Sequence, residues 1–276
     1  MSKADVYFQK DIEHILNDGF YDVDPRPKYA DGTPAHTISV NHNVRQYDMS
    51  KNEFPICTLR KMPWKTAIRE MFTVYLRPTN NIAEMKEDGV TWWDSWDIGD
   101  GTIGQRYGAT VARYHLLDKL VEDIKNDPYG RRKIMSLWQE ADLAETAGLA
   151  PCAFCTIWNV RGEYLDMMLI QRSGDMCVAS GAGHSNEIQY AALLMMVANS
   201  TGYKPGVFTH VVANEQIYDR HIDNAKELLS RTPSEKNPVL RIKKEPGCDI
   251  HLYTIADFEL IDYEPNTDQL KFDLGI

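Results

Sequence analysis

Cys152 follows Pro151 and heads Ala153 to Val160, a stretch with the make-up of a strand; Arg161-Gly162 reads as a turn, and the apolar run Tyr164 to Ile170 leads back to Arg172. A hairpin of this kind returns both residues to the same end of a sheet, where a guanidinium would lower the pKa of the thiol and favour the nucleophilic thiolate. Taken alone, a buried cysteine is more often a small inert hydrophobe. Arg172 and Ser173, joined by Arg131 and Arg132, have the donors for a forked, charge-assisted cradle around a phosphate monoester. Read in isolation, Arg131-Arg132-Lys133 after Asp127-Pro128-Tyr129-Gly130 is also what a solvated turn with cations on its rim looks like. Cys152-Ala153-Phe154-Cys155 spells a C-x-x-C, but strand alternation puts residues three apart on opposite faces, and no second pair or spaced histidines completes a zinc tetrad.

The chain that must position these groups has 276 residues, enough for one large domain over 1–276 with a substantial core. No run of about eighteen apolar residues occurs and the N-terminus lacks the apolar stretch of a signal peptide, so a cytoplasmic protein is expected. Five scattered cysteines, Cys57, Cys152, Cys155, Cys177 and Cys248, fit reduced thiols there better than a disulfide framework. A formal net charge of -10 argues against a general nucleic-acid or acidic-membrane binder, since both surfaces attract cations, yet a pocket for a small anion needs only a few local arginines.

Helical spacing of Val6, Ile12, Ile15 and Leu16 predicts an amphipathic helix over 4–18 that stops at Gly19, with a loop over 22–33. Residues 38–47 read as a strand, 64–75 as a helix ending before Arg77-Pro78, and 107–125 as another helix. Residues 133–139, 153–160 and 164–170 read as strands. Residues 186–200 are apolar almost all round and predict a buried central helix ended by Gly202. A strand over 207–212, a helix over 216–229 and short strands over 240–244 and 252–255 complete the reading. Strands and helices in irregular order give an α+β domain without internal repeats.

Leu149-Ala150-Pro151-Cys152, Gln171-Arg172-Ser173-Gly174-Asp175, and Asn186 with Tyr190 together resemble the active-site core of the thymidylate synthases. The likeness continues through Asp31 to Thr37, Trp92 to Trp96, Gly104 to Gly108 and Gln216 to His221, in the family's order and across most of the chain. It implies a large mixed β-sheet wrapped by helices, two subunits packed sheet to sheet as a homodimer, and reductive methylation of deoxyuridylate by methylenetetrahydrofolate. The folate would supply both carbon and hydride, with no metal. On that resemblance Cys152 attacks C6 of the uracil ring and makes C5 a carbon nucleophile. Arg172 and Ser173 hold the phosphate, and Arg131 and Arg132 reach in from the other subunit. Asn186 reads the base, because its amide can accept from N3–H and donate to O4, whereas cytosine presents the reverse pattern; an asparagine capping the following helix is the plainer reading. Tyr218 meets the 3′-hydroxyl. Glu70 moves protons through ordered water, although an isolated helical glutamate is ordinarily solvated surface, and Tyr107 stands near the C5 proton. Asp175 accepts from the pterin, Trp92 and Trp93 flank the folate and keep water from the exocyclic methylene, and the tail ending at Ile276 closes over the ligands.

The sequence also departs from the family pattern. Gly32 stands where arginine is commonest, leaving Arg26 as the nearest replacement; Gln216 stands for the histidine that accompanies Tyr218; and Ala153 stands for a histidine beside the nucleophile. Two competing readings follow. A pyrimidine-nucleotide hydroxymethylase of the same superfamily is kept open by Gln216 and the longer stretch 179–185, and opposed by Asn186, where the deoxycytidylate enzymes carry aspartate, and by the tryptophans. A non-catalytic nucleotide- or RNA-binding regulator is opposed by Cys152 and the acidic charge, with autoregulatory binding of messenger RNA the one nucleic-acid role left to it.

Overall fold

The computed structural model describes residues 1–275; Ile276, expected to close the tail over the ligands, lies outside them. Ser2 accepts from the amide of Ala4 and opens helix α1 (Lys3–Asp18), whose Ala4, Phe8, Ile12 and Ile15 recur at helical spacing and are buried. Val6, expected on that face, points to solvent at 48% exposure. A short strand β1 (Phe20–Tyr21) and the long β2 (Thr37–Asp48) follow. Helix α2 (Trp64–Met71) passes directly into a π-helical turn over Phe72–Leu76, which ends where Pro78 forbids continuation.

After α3 (Ile82–Glu87), the helix expected over 107–125 is two, α4 (Gly108–Tyr114) and α5 (Leu116–Asn126), because His115 adopts a left-handed conformation with φ 51°. The strand expected over 133–139 pairs only as β3 (Ile134–Ser136), and the chain then turns into α6 (Glu140–Glu145), which the hydrophobic pattern did not announce. β4 (Ala153–Arg161) and β5 (Tyr164–Gln171) form the expected hairpin around Gly162, whose φ of 62° suits glycine. Following β6 (Gly174–Asp175) comes α7 (Ser185–Thr201), buried along nearly its whole length and stopped by left-handed Gly202.

β7 (Lys204–Tyr218) is longer than expected. Gln216 and Tyr218, assigned from sequence to a helix, end this strand instead, and α8 begins only at Ile222 (Ile222–Ser230). Their ladder bonds to β2 decide the matter: Gln216 faces Ser39 and Tyr218 faces Thr37. β8 (Val239–Ile242) pairs with β9 (Phe258–Ile261), not with residues 252–255, which are split between short 3₁₀ turns.

The main sheet runs β1-β2-β7-β5-β4-β3, with β6 beside β7. Its β5–β7 pairing is parallel and the β2–β7 and β4–β5 pairings antiparallel, so the sheet is mixed as expected. Helices α1 and α7 cover one face with the core residues Phe8, Ile12, Leu193 and Leu194. On that face Arg45 is 1% exposed and donates to Asp11, Glu187 and Glu215, tying α1, β2, α7 and β7 together. The attraction of Arg45 holds Glu187 down at about 2 against its burial, while burial outweighs the same attraction and pushes Asp11 and Glu215 up.

Candidate active site

One cleft of about 1350 Å³ opens where β4 begins and β5 ends. Cys152 and Arg172 flank the hairpin, and the amide of Arg172 donates to the Cys152 carbonyl at 2.9 Å. The guanidinium is anchored on the same loop, donating to Pro151 O at 3.0 Å and Ala150 O at 2.8 Å, with Nη2 3.4 Å from the Cys152 sulfur. The expected juxtaposition of thiol and cation is therefore present. Its electrostatic outcome differs: burial pushes the Cys152 thiol up, and Arg172 offsets this only in part.

Ser173 and Gln216 meet across β6 and β7, with Ser173 Oγ 3.2 Å from the Gln216 amide. Tyr218 lies two residues further along the same strand and therefore on the same face; burial pushes its phenol up to about 12, and its hydroxyl donates to Gly275 O at 3.5 Å. The tail thus runs across the cleft, which Phe272, Leu274 and Gly275 help to line. Asp175 lines it as well, but one carboxylate oxygen is already engaged, accepting from the amides of Cys177 at 2.9 Å and Val178 at 3.2 Å.

Glu70 is not solvated surface. It is 6% exposed, accepts from Trp93 Nε1 at 2.7 Å and from Gln189 Nε2, and burial pushes its carboxyl up to about 7 in spite of those donors. A carboxyl that titrates near neutrality can both take and give a proton there. Trp93 stacks edge-on against Tyr107 at 5.0 Å and Trp96 at 5.5 Å, and with Trp92 these rings form an apolar wall. Tyr107 carries a φ of 47° and ψ of -108°, a costly backbone for a side-chain-bearing residue. Gly108 follows it because a Cβ there would meet the Thr79 carbonyl at 2.2 Å.

Asn186 sits in the first turn of α7 and does not cap it. Its Oδ1 accepts from Ser180 Oγ at 2.9 Å and Gln171 Nε2 at 3.3 Å, and its Nδ2 donates to Gln189 Oε1 at 3.0 Å. Arg26 is exposed but lines the same cleft, as a replacement for the arginine missing at Gly32 would have to. Arg131 and Arg132 are not brought there: they lie exposed on the loop before β3, outside this cleft. Cys155, second of the C-x-x-C, pairs with Ile170 on the other face of the sheet, and all five cysteines are free.

Two cleft residues, Arg60 and Gln189, escaped the sequence reading, and Gln171 entered it only as part of a motif. Arg60 is 8% exposed, its guanidinium lies 4.9 Å from the Phe272 ring, and its Nε has no hydrogen-bond partner among the described residues. Gln171 is fully buried between Asn186 and His210. Gln189 was hidden by the apolar character of α7, yet helical spacing carries a signal, since position i+3 from Asn186 shares its face. Among the described residues no group of three or more His, Cys, Asp or Glu side chains is placed to hold a metal ion, and no helix is long and apolar enough to cross a membrane.

Comparison with known proteins accords with this geometry. A sequence-family profile described as thymidylate synthase matches residues 6–276. The chain is 46% identical to the thymidylate synthase of Lactococcus lactis subsp. cremoris strain SK11 and 43% identical to that of Streptococcus suis strain 05ZYH33, each over the full length of both chains. The solved structure of a thermostable thymidylate synthase A from Bacillus subtilis superposes with a TM-score of 0.90 at 35% identity, covering 99% of either chain. With its fold and its whole length in agreement, the chain belongs to the thymidylate synthase family.

Proposed function

We propose that this chain converts deoxyuridylate to thymidylate through a covalent bond between Cys152 and C6 of the base. The observation that carries the reading is the convergence of Cys152, Asn186 and Glu70 on one cleft, with Arg172 against the sulfur. Arg172, Ser173 and Arg26 bind the phosphate, and Gln216 and Tyr218 face the sugar. Asn186 offers Oδ1 and Nδ2 to the uracil edge. As the sulfur bonds C6 the thiol proton passes to solvent, and the C5–C6 π pair moves onto C5 and O4 as an enolate. Glu70, poised near neutrality, exchanges protons at O4, and Tyr107 faces the carbon from which the C5 proton departs.

The cleft exceeds what one nucleotide fills, and its aromatic wall of Trp92, Trp93 and Trp96 suits a flat heterocycle. Methylenetetrahydrofolate bound there supplies the one-carbon unit and the hydride. The tryptophans exclude the water that would otherwise yield a hydroxymethyl product, and Asp175 keeps one carboxylate oxygen for pterin N–H groups.

We further infer a homodimer. On the face of the sheet opposite α1 and α7, ladder pairing aligns Ile134, Ile157 and Met168 in one row and Cys155, Ile170, Val211 and Val44 in the next. Val44 at 51%, Ile134 at 53% and Met168 at 38% exposure make this an apolar patch that a second copy would cover. Arg131 and Arg132, exposed on the loop that leads into β3, would complete the partner's cleft. The main core, which runs from Ala4 to Phe258, supports one catalytic domain.

Tritium release from C5-labelled deoxyuridylate, followed together with dihydrofolate absorbance, tests the reaction. Matched signals support methyl transfer. Release without dihydrofolate would indicate hydroxymethylation, and neither signal would refute the chemistry assigned to Cys152.

A further inference from the structure

Gln189 is 4% exposed, lines the cleft, and touches both of the polar groups on which base recognition and proton transfer depend. Its Oε1 accepts from Asn186 Nδ2 at 3.0 Å, and its Nε2 donates to Glu70 Oε2. Glu70 Oε1 accepts from Trp93. The donors therefore all run one way: Asn186 to Gln189, Gln189 to Glu70, with Trp93 closing the far side. Once Glu70 has ionised, above about 7, its carboxylate has no proton to give. In that state it can only accept from Gln189, so the amide nitrogen of Gln189 faces Glu70 and its oxygen faces Asn186, the arrangement the structure shows. That in turn fixes Asn186 with nitrogen toward Gln189 and oxygen toward Ser180 and Gln171, both of which donate to it. Reversing Asn186 would set its nitrogen against the Gln171 amide nitrogen and, at the other end, set the Gln189 carbonyl against a carboxylate. An asparagine amide free to rotate reads uracil and cytosine equally well; the chain of donors removes that freedom.

Resting on the reading of Asn186 and Glu70 given above, we propose that Gln189 is the positioning residue that locks the Asn186 carboxamide in its uracil-reading orientation and links the base reader directly to Glu70. The link is made by a side chain one helical turn from Asn186, in a site where Ala153, beside the nucleophile, contributes no polar side chain.

Two substitutions separate the two ends of the link. Gln189→Leu removes both hydrogen bonds at similar volume. Gln189→Glu keeps an acceptor toward Asn186 but loses the donor toward Glu70. The readouts are dissociation constants for deoxyuridylate and deoxycytidylate, and the pH profile of kcat. The titratable side chains facing Glu70 besides the link are the phenols of Tyr107 and Tyr190, both pushed up by burial and neutral across the range. Gln189→Leu should lose roughly tenfold in preference for the uracil nucleotide, the scale of one buried hydrogen bond, and should move the pH limb assigned to Glu70 upward. Gln189→Glu should keep the base preference and move the limb alone. Unchanged preference in Gln189→Leu, or an unmoved limb in Gln189→Glu, overturns the proposal. Should Gln189→Leu fail to fold, the limb of the isosteric Gln189→Glu decides. A wild-type protein that binds deoxyuridylate and turns over while both variants match it refutes only the link, whereas a wild type that binds no deoxyuridylate refutes the functional reading and the link together.

Discussion

Replacing Glu70 with glutamine should stabilise the ligand-free protein as pH rises while stopping its chemistry. Burial pushes this carboxyl from an ordinary 4.5 up to about 7. Between those values the folded state keeps a proton that the unfolded chain has released, so folding stability falls as pH rises: the contribution is whole below 4.5 and lost above 7. A shift of that size corresponds to about 3 kcal/mol. The glutamine variant has no ionisation at this position and lacks the slope. Any rearrangement of Gln189 or Trp93 around the new amide is independent of pH and cancels when the two proteins are compared across a pH series. Urea unfolding of both proteins, without ligands and at one fixed protein concentration, should show the variant gaining about 3 kcal/mol on the wild type between pH 4.5 and 8. Turnover should drop by roughly 100-fold or more, the scale of a lost general acid–base group. Parallel stability curves would show that Glu70 ionises as in water, and the argument from its burial would fail.

Three further outcomes follow from the cleft. Cys152→Ala should leave deoxyuridylate binding, measured by calorimetry, within a few-fold of wild type while abolishing tritium release; retained turnover would remove the cysteine from the mechanism. Asn186→Asp should shift base preference toward the cytosine nucleotide by roughly tenfold or more, as expected when a donor is replaced by an acceptor in a buried polar site, and competition binding with both nucleotides would expose an unchanged preference. Cys152→Ala and a double Arg131→Ala, Arg132→Ala variant should each be inactive alone and regain activity when mixed and allowed to exchange subunits, because one hybrid cleft would then carry both the cysteine and the arginines. No recovery on mixing would refute the shared site.

Several parts of this molecule were legible without coordinates because they depend on local periodicity. The apolar circumference of residues 186–200 predicts a buried helix, and that helix forms with Gly202 as its stop. The strand–turn–strand from 153 to 170 predicts a hairpin, and the hairpin alone puts Cys152 next to Arg172. Where local pattern failed, a longer-range contact or a single dihedral angle prevailed. Residues 216–218 have the look of a helix start, but ladder bonds to β2 keep them in the sheet, and so place Gln216 beside Ser173 and Tyr218 beneath the tail. His115 breaks a helix whose hydrophobic spacing runs straight through it.

The sequence by itself determined the order of the motifs, the pairing of a candidate nucleophile with its cation, and several of the polar and aromatic residues that line the cleft, since these are matters of residue type and spacing. Only the tertiary structure decided their chemical state. Burial, which no spacing reveals, turns Glu70 from an ordinary surface carboxylate into a group titrating near 7 and outweighs Arg172 in setting the Cys152 thiol. The same holds for Arg45, a cation that alternation puts on the buried face of β2, where three carboxylates from α1, α7 and β7 receive it. Hydrogen-bond direction is likewise a property of the assembled site: Asn186 could point either way in the sequence, and Gln189, Gln171 and Ser180 converge on it from separate segments to give it one orientation. Desolvation and donor–acceptor matching act between residues far apart in the chain, and for that reason they become readable only once the chain is folded.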